Sequence, residues 1–369
     1  MASISLSNVR KNYPKFDLGP IDLEIKDNEF FGVFGPPSCG KTSILKIILG
    51  LVSPDEGNVF INGADATDAR ANERNIAMVF QNLALFPHMT GRDNILFPLR
   101  ERGVPVEEAE KQLARVSEVL HISHIIDKTP DKMSGGERQR IALGRAFVRD
   151  PAGFLLDEPI AALDARLREE MRVELKRLQR EGNHTFIYVS HDEEEVLGIS
   201  DRVAVVEDGC VAQVGTPDEI YDRPSSIYVA RIVGSPPMNF IEGRFSTATG
   251  EFVSADSHLR IEIAPPHVVD NPRVIDATIG VRPENLAVSR GNSDGTITGT
   301  VLSVEPLGSF TIIDVAAFDG AVIKARLPGQ ITFDDGAEIR LGFPGSAVHL
   351  FDADGRRYPA APAALPEAE

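Results

Sequence analysis

Gly35-Pro36-Pro37-Ser38-Cys39-Gly40-Lys41-Thr42 sits between an apolar run, Phe30-Phe31-Gly32-Val33-Phe34, and a helix-like run, Ser43-Ile44-Leu45-Lys46-Ile47-Ile48-Leu49. A strand, a tight turn and a helix start in that order are what phosphate binding needs. The turn's backbone N–H groups can face inward around the α- and β-phosphates, the Lys41 ammonium can reach the β/γ oxygens, and the Thr42 hydroxyl can hold Mg²⁺. The stretch predicts a nucleoside-triphosphate site built from Gly35, Ser38, Cys39, Gly40, Lys41, Thr42 and Ser43. Pro37 has no N–H to donate, but the residues after it do.

On either side of this turn the pattern alternates between strand and helix. Ile4-Ser5-Leu6 and Ile21-Asp22-Leu23-Glu24-Ile25 read as antiparallel strands ahead of the turn, and Val59-Phe60-Ile61 as a further strand. Helical spacing governs about 105–126 and 136–149. Strand-like runs return at Phe154-Leu155-Leu156, Thr185–Val189 and Val203–Val206, separated by helical patterns from Asp164 to Arg180 and from Asp192 to Leu197. This alternation predicts an α/β fold whose parallel sheet is flanked by helices. Pro and Gly then punctuate the chain near 224–240, and short strands follow at 298–305, 311–316, 321–327, 339–343 and 347–351, with a hairpin turn at Phe318-Asp319-Gly320. Their spacing predicts a small antiparallel barrel of the oligomer-binding (OB-like) type. The expected domains are 1–235, with a helical subdomain at about 88–150, and 236–357, followed by a disordered tail at 358–369.

Composition narrows the function classes. With 369 residues, 42% of them hydrophobic, the chain can bury the cores of two domains. The net charge of −17 argues against broad nucleic-acid binding and against direct attachment to anionic lipid. No apolar run approaches the ~20 residues that span a bilayer. The expectation is therefore a cytoplasmic protein that reaches a membrane only through partners. Two cysteines, Cys39 and Cys210, are too few for a disulfide framework. Cys39 within the loop is either a thiol-sensitive point or a small side chain filling a turn.

Two more stretches carry chemistry. Phe154-Leu155-Leu156-Asp157-Glu158-Pro159 is an apolar strand ending in paired carboxylates, placed to hold Mg²⁺ through Asp157 and polarise a water through Glu158. In Met133-Ser134-Gly135-Gly136-Glu137-Arg138-Gln139-Arg140, Ser134 and Glu137 form a capping box. The two consecutive glycines would expose backbone N–H groups at a positive helix end, a second anion site.

The set Gly35–Thr42, Gln81, Ser134-Gly135-Gly136-Glu137-Arg138-Gln139, Asp157-Glu158 and His191 resembles an ATP-binding cassette (ABC) ATPase. The resemblance implies a P-loop NTPase fold with a RecA-like parallel sheet, an antiparallel β subdomain and a helical subdomain. It implies two ATP molecules sandwiched head to tail, the Ser-Gly-Gly loop of one subunit closing over ATP held by the other. Gln81 would contact Mg²⁺ or the water, and His191 the γ-phosphate. Tyr13 would stack on adenine or simply pack in the core. Asp164 would bridge subunits or only cap the following helix. Pro36-Pro37, Met133 and Ala161 depart from the family pattern, which puts rate and affinity rather than hydrolysis itself in question.

Likeness to the sugar-importer branch spans nearly the whole chain, with echoes at Gly234-Ser235-Pro236-Pro237-Met238-Asn239-Phe240 and Gly280-Val281-Arg282-Pro283-Glu284-Asn285-Leu286. It implies a peripheral ATPase on the cytoplasmic face of the inner membrane. Its partners would be a second ATPase subunit, the same or different, two membrane-spanning permease subunits and, indirectly, an extracytoplasmic solute-binding protein. The solute would be a sugar, polyol or glycerol-phosphate type. Alternatives are an importer for polyamine, ferric ion or sulfate, a non-transport cassette ATPase, and a C-terminal domain that recruits a regulator. Segment 82–100 is the expected dock for the membrane subunit, or else a loop packed on its own helical insert.

Overall fold

The computed structural model describes residues 2–149, 151–263, 273–288, 296–334 and 336–358. They form two compact units that meet in sequence at Pro217 and Asp218. That seam precedes the Pro/Gly-rich segment at 234–237.

In the first unit, β1 (Ile4–Tyr13), β2 (Phe16–Ile25), β3 (Phe30–Phe34), α1 (Lys41–Leu49), β4 (Glu56–Ile61), β5 (Ala64–Asp65) and β6 (Ile76–Val79) come first. Then follow α2 (Gly91–Glu101), α3 (Val106–Val119), α4 (Gly135–Phe147), β7 (Gly153–Asp157), α5 (Ala165–Gly182), β8 (Thr185–Ser190), α6 (Glu193–Ile199), β9 (Arg202–Glu207) and β10 (Cys210–Gly215). Six strands make one sheet in the order β10-β9-β3-β8-β7-β6, parallel except for β10. Every residue of β3, β7 and β8 is buried, which is why these strands read as unbroken apolar runs rather than as alternation. Gly32 in β3 has a packing reason. A Cβ there would come within 2.5 Å of Val196 and Ser200, so α6 lies against bare backbone.

A four-stranded antiparallel sheet, β2-β1-β4-β5, packs its apolar face into the same core. Ile4, Leu6, Ile21 and Leu23 meet Ile44, Leu45 and Ile48 of α1 there. Each such side chain contributes roughly 1.5–3 kcal/mol through burial. The helical insert holds three helices. Helices α3 and α4 fall where the periodicity placed them, while α2, with Pro98 inside it, lies in the expected docking segment.

The second unit begins with α7 (Pro217–Asp222) and α8 (Ile227–Ile232), followed by ten strands among the described residues. These are β11 (Asn239–Ser246), β12 (Glu251–Ser254), β13 (Arg260–Glu262), β14 (Val274–Val281), β15 (Ala287–Val288), β16 (Thr296–Pro306), β17 (Phe310–Ala316), β18 (Val322–Pro328), β19 (Glu338–Gly342) and β20 (Val348–Asp352). All five expected strands are present, but they do not close on one another. Four lie in the sheet β15-β19-β16-β17-β18, whereas β20 joins β13-β12-β11-β14-β20. Both sheets share one core, in which Phe245, Ile279, Ile313, Ile323 and Leu341 are buried together.

The two importer-like echoes meet in this unit. Asn239 pairs with Val281 in the β11–β14 register, and the Asn239 amide bridges to Lys324, donating to its carbonyl and accepting from its N–H, each at 2.8 Å. The buried Arg282 guanidinium lies 3.9 Å over the Tyr221 ring and donates to the carbonyls of Tyr221 and Val233. Tyr358, placed by its sequence in the tail, belongs to the fold: its N–H donates to Leu350 and its ring packs on Phe245. The rest of the expected tail, 359–369, lies outside the described residues.

Candidate functional site: a phosphate cleft at the ends of three parallel strands

At the C-terminal end of β3 the chain must reverse into α1 within six residues. Gly40 caps the helix with φ 108, and Ser38 also lies at positive φ. A Cβ on Gly40 would fall 2.7 Å from Leu18. The turn therefore needs glycine both for its dihedral and for its close approach to β2. Lys41 is buried, and its Nζ donates to the carbonyls of Gly35 and Pro36, each at 2.7 Å. That arrangement holds the ammonium inside the concave face of the turn. Cys39 is 4% exposed; burial pushes its thiol up, opposed in part by Lys41, and its side chain fills the turn beneath Gly35.

A cleft of about 400 Å³ opens here, lined by Phe16, Pro37, Ser38, Gly40, Lys41, Thr42, Ser43, Gln81, Asp157 and Glu158. Residues far apart in sequence converge because β3, β7 and β8 are neighbours and end at one level. The Thr42 hydroxyl donates to Asp157 Oδ2 at 2.9 Å. The Asp157 carboxyl is raised above the ordinary carboxylate range by burial, with the Glu158 charge adding to the effect and Thr42 opposing it. Glu158 holds φ 50, and its two oxygens are divided: Oε2 accepts from Gln81 Nε2 at 2.9 Å, and Oε1 lies 2.8 Å from His191 Nδ1.

The structure therefore brings together Lys41, Thr42, Gln81, Asp157, Glu158 and His191. Tyr13 is not among the lining residues; Phe16 is, with the two rings 6.4 Å apart. Ser134, Gly135, Gly136 and Glu137 lie at the start of α4, outside the cleft lining. Their capping box is formed: Ser134 N–H donates to Glu137 at 2.6 Å, and Glu137 N–H to Ser134 Oγ at 3.2 Å. The Ser134 N–H and Lys128 hold the Glu137 carboxyl down at about 2. Asp164 caps α5, accepting from Leu167 N–H at 3.0 Å. Among the described residues lining the cleft, Phe16 is the contributor that the motifs did not mark. Phe16 reaches the cleft only through the hairpin between β1 and β2.

Thr42 and Asp157, with the Gln81 amide, offer hard oxygen donors of the kind Mg²⁺ prefers. No cluster of three or more His, Cys, Asp or Glu forms among the described residues. A cation here would thus complete its shell from phosphate and water.

A phosphate-cradling turn joined to a carboxylate-ended strand, a polarising pair and a glycine-opened helix defines a cassette-type nucleotide hydrolase. Family models agree: residues 18–161 match the ABC transporter model, 234–286 the MalK OB fold domain and 279–351 the TOBE domain. The chain is 41% identical to the sulfoquinovosyl glycerol transport ATP-binding protein SmoE of Agrobacterium fabrum, over 97% of this chain and 99% of that protein. It is 40% identical to the sn-glycerol-3-phosphate import ATP-binding protein UgpC of Brucella abortus, over 97% and 99%. A dimeric bacterial ABC transporter cassette matches 58% of this chain and 98% of its own, at 30% identity and a TM-score of 0.55. The post-hydrolysis state of that cassette, bound to ADP and Pi, matches equally. The chain belongs to the ABC transporter ATP-binding proteins and is a nucleotide-binding ATPase of that type. No helix among the described residues is long and apolar enough to cross a membrane.

Proposed function

We propose that the protein is the ATP-hydrolysing subunit of an importer, energising uptake of a sugar or glycerol-phosphate type solute through two permease subunits. The observation that carries this reading is kinship over 97% of the chain, second unit included, with ATP-binding proteins named for such solutes. The protein would sit peripherally on the cytoplasmic face of the membrane and receive its signal from an extracytoplasmic solute-binding protein.

In this reading Gly35, Ser38, Cys39, Gly40, Lys41 and Ser43 cradle the phosphates, with Tyr13 at the adenine. Thr42, Asp157 and Gln81 would hold Mg²⁺, whose positive charge would offset the negative charge of the phosphates. Glu158 accepts a proton from the attacking water, and His191 both orients Glu158 and meets the γ-phosphate. Ser134, Gly135, Gly136, Glu137 and Asp164 of a second copy or a sister subunit close the site. Most of the rate gain would come from positioning and electrostatic stabilisation.

Segment 82–100 beside Gln81 would receive the permease. Phe86 is half-buried against Phe97, 4.7 Å between ring centroids, so this loop is also packed on its own helical insert.

Glu158→Gln tests the chemistry: it should bind ATP and pair while turnover falls about 10²- to 10⁴-fold. Retained turnover would remove Glu158 from the mechanism. Co-purification with permease subunits, and ATP-driven uptake of sn-glycerol-3-phosphate or a sugar glycoside into proteoliposomes, tests the transport role. A chain that assembles with no membrane subunit would end that role.

A further inference from the structure

Glu158 has a backbone that ordinary chain preferences do not supply. Its φ of 50 is in the left-handed region, which non-glycine residues rarely occupy, and the next residue is Pro159, which drives its predecessor toward extended conformations. Something outside the strand must hold it. On one side the Glu158 N–H donates to the Val189 carbonyl at 2.9 Å, continuing the contact with β8. On the other, the Glu158 carbonyl accepts from Gln139 Nε2 at 3.0 Å.

Gln139 lies on α4, is 3% exposed, and uses both ends of its amide. Its Oε1 accepts from Ala162 N–H at 3.0 Å. Only this orientation of the amide makes both contacts hydrogen bonds, because the partners are one carbonyl and one N–H. The helix start is close to the same loop. A Cβ on Gly136 would lie 2.9 Å from Leu163, and one on Gly135 would lie 3.7 Å from Ala162. The segment from Glu158 to Leu163 is thus tied by one side chain to the helix that carries Ser134-Gly135-Gly136.

We propose that Gln139 is a positioning residue for hydrolysis. Its amide fixes the strained peptide between Glu158 and Pro159, so that the Glu158 carboxylate is presented to the water only while α4 is seated against the loop 159–163. Gln139 touches neither the cleft nor the phosphate turn, so its loss should leave ATP binding alone. Without it the half-buried Glu158 carbonyl keeps only the longer contact from Ala161 N–H, at 3.4 Å, and the peptide turns toward the extended form that Pro159 favours. A carboxylate displaced by about 1 Å costs on the order of 10²-fold in rate. The inference rests on the reading of Glu158 as the group that polarises water.

The full-length chain carrying Gln139→Met, which keeps the volume and removes both hydrogen bonds, tests this in steady-state ATP hydrolysis. The expected result is a kcat lower by about 10- to 100-fold with the ATP KM within about twofold of the parent. In the Glu158→Gln background the same change should add almost nothing, since the group being positioned is already gone. An unchanged kcat, a fall in ATP affinity matching the fall in kcat, or full additivity with Glu158→Gln would overturn the proposal. Should Gln139→Met fail to fold, Gln139→Glu carries the comparison. It keeps the acceptor toward Ala162 and removes the donor toward Glu158, so parental kcat in that variant overturns the proposal and a kcat-only loss supports it. Glu158→Gln with undiminished turnover would instead sink the underlying reading, a result distinct from any outcome at Gln139.

Discussion

The Thr42 hydroxyl donates to Asp157 Oδ2 at 2.9 Å, joining the first turn of α1 to the end of β7 across 115 positions of sequence. Two hard oxygen donors are thereby aligned, and a bound cation would oppose the upward push that burial gives the Asp157 carboxyl. Asp157→Asn should raise the Mg²⁺ concentration needed for half-maximal hydrolysis by about 10- to 100-fold. Magnesium titration of the ATPase rate measures this, and an unchanged midpoint would exclude Asp157 as a ligand or as the support of one.

Helix α1 is anchored at its other end by Arg74. Its Nη1 donates to the carbonyls of Ile47 and Ile48 at 2.8 Å, and Nε and Nη2 donate to Ala69 and Thr67 at 3.0 Å. Gly50 lies so close that a Cβ would come within 2.7 Å of the guanidinium. Arg74→Met removes the side-chain donor from the Ile48 carbonyl and leaves that of Ile47 with only the Gly50 N–H, and should cost about 3 kcal/mol in denaturant unfolding of the first unit. Arg74→Lys should recover only part of that, because an ammonium cannot fork to four carbonyls.

Arg145, further along α4 than Gln139, holds the loop after Gln81. It donates to the carbonyls of Leu83 at 2.7 Å and Ala84 at 2.6 Å, two consecutive residues with positive φ. Arg145→Met should free that pair, raising amide hydrogen exchange across 82–86 by about tenfold or more while β7 exchange stays unchanged. Equal exchange in both proteins would show that the loop holds itself.

His349 on β20 is driven down from 6.5 to about 4, by burial first and then by the charges of Arg357 and Arg282. A histidine kept neutral in the folded state but protonated in the unfolded state makes unfolding take up a proton. Stability is therefore full above pH 6.5 and declines as the pH falls through the interval down to about 4. The loss is at most about 3 kcal/mol. His349→Phe should flatten this limb in pH-dependent melting, and an unaltered limb would assign it to other groups.

From sequence alone came the strand-turn-helix around Gly35–Thr42, the buried parallel strands and the identities of the cleft groups. Each is written locally, as an unbroken apolar run, a glycine where φ must be positive, or a carboxylate pair at a strand end. The capping box at Ser134 and Glu137 and the cap at Asp164 were legible for the same reason, since their partners lie three residues away. Tertiary structure alone decided which groups meet. Phe16 lines the cleft next to Tyr13, β20 leaves the other expected strands for the neighbouring sheet, and Tyr358 joins the core. Gln139 reaches the Glu158 carbonyl across 19 positions. Periodicity reports which face of an element is buried but not what buries it, and a side-chain hydrogen bond to a distant backbone carbonyl leaves no pattern in either local segment.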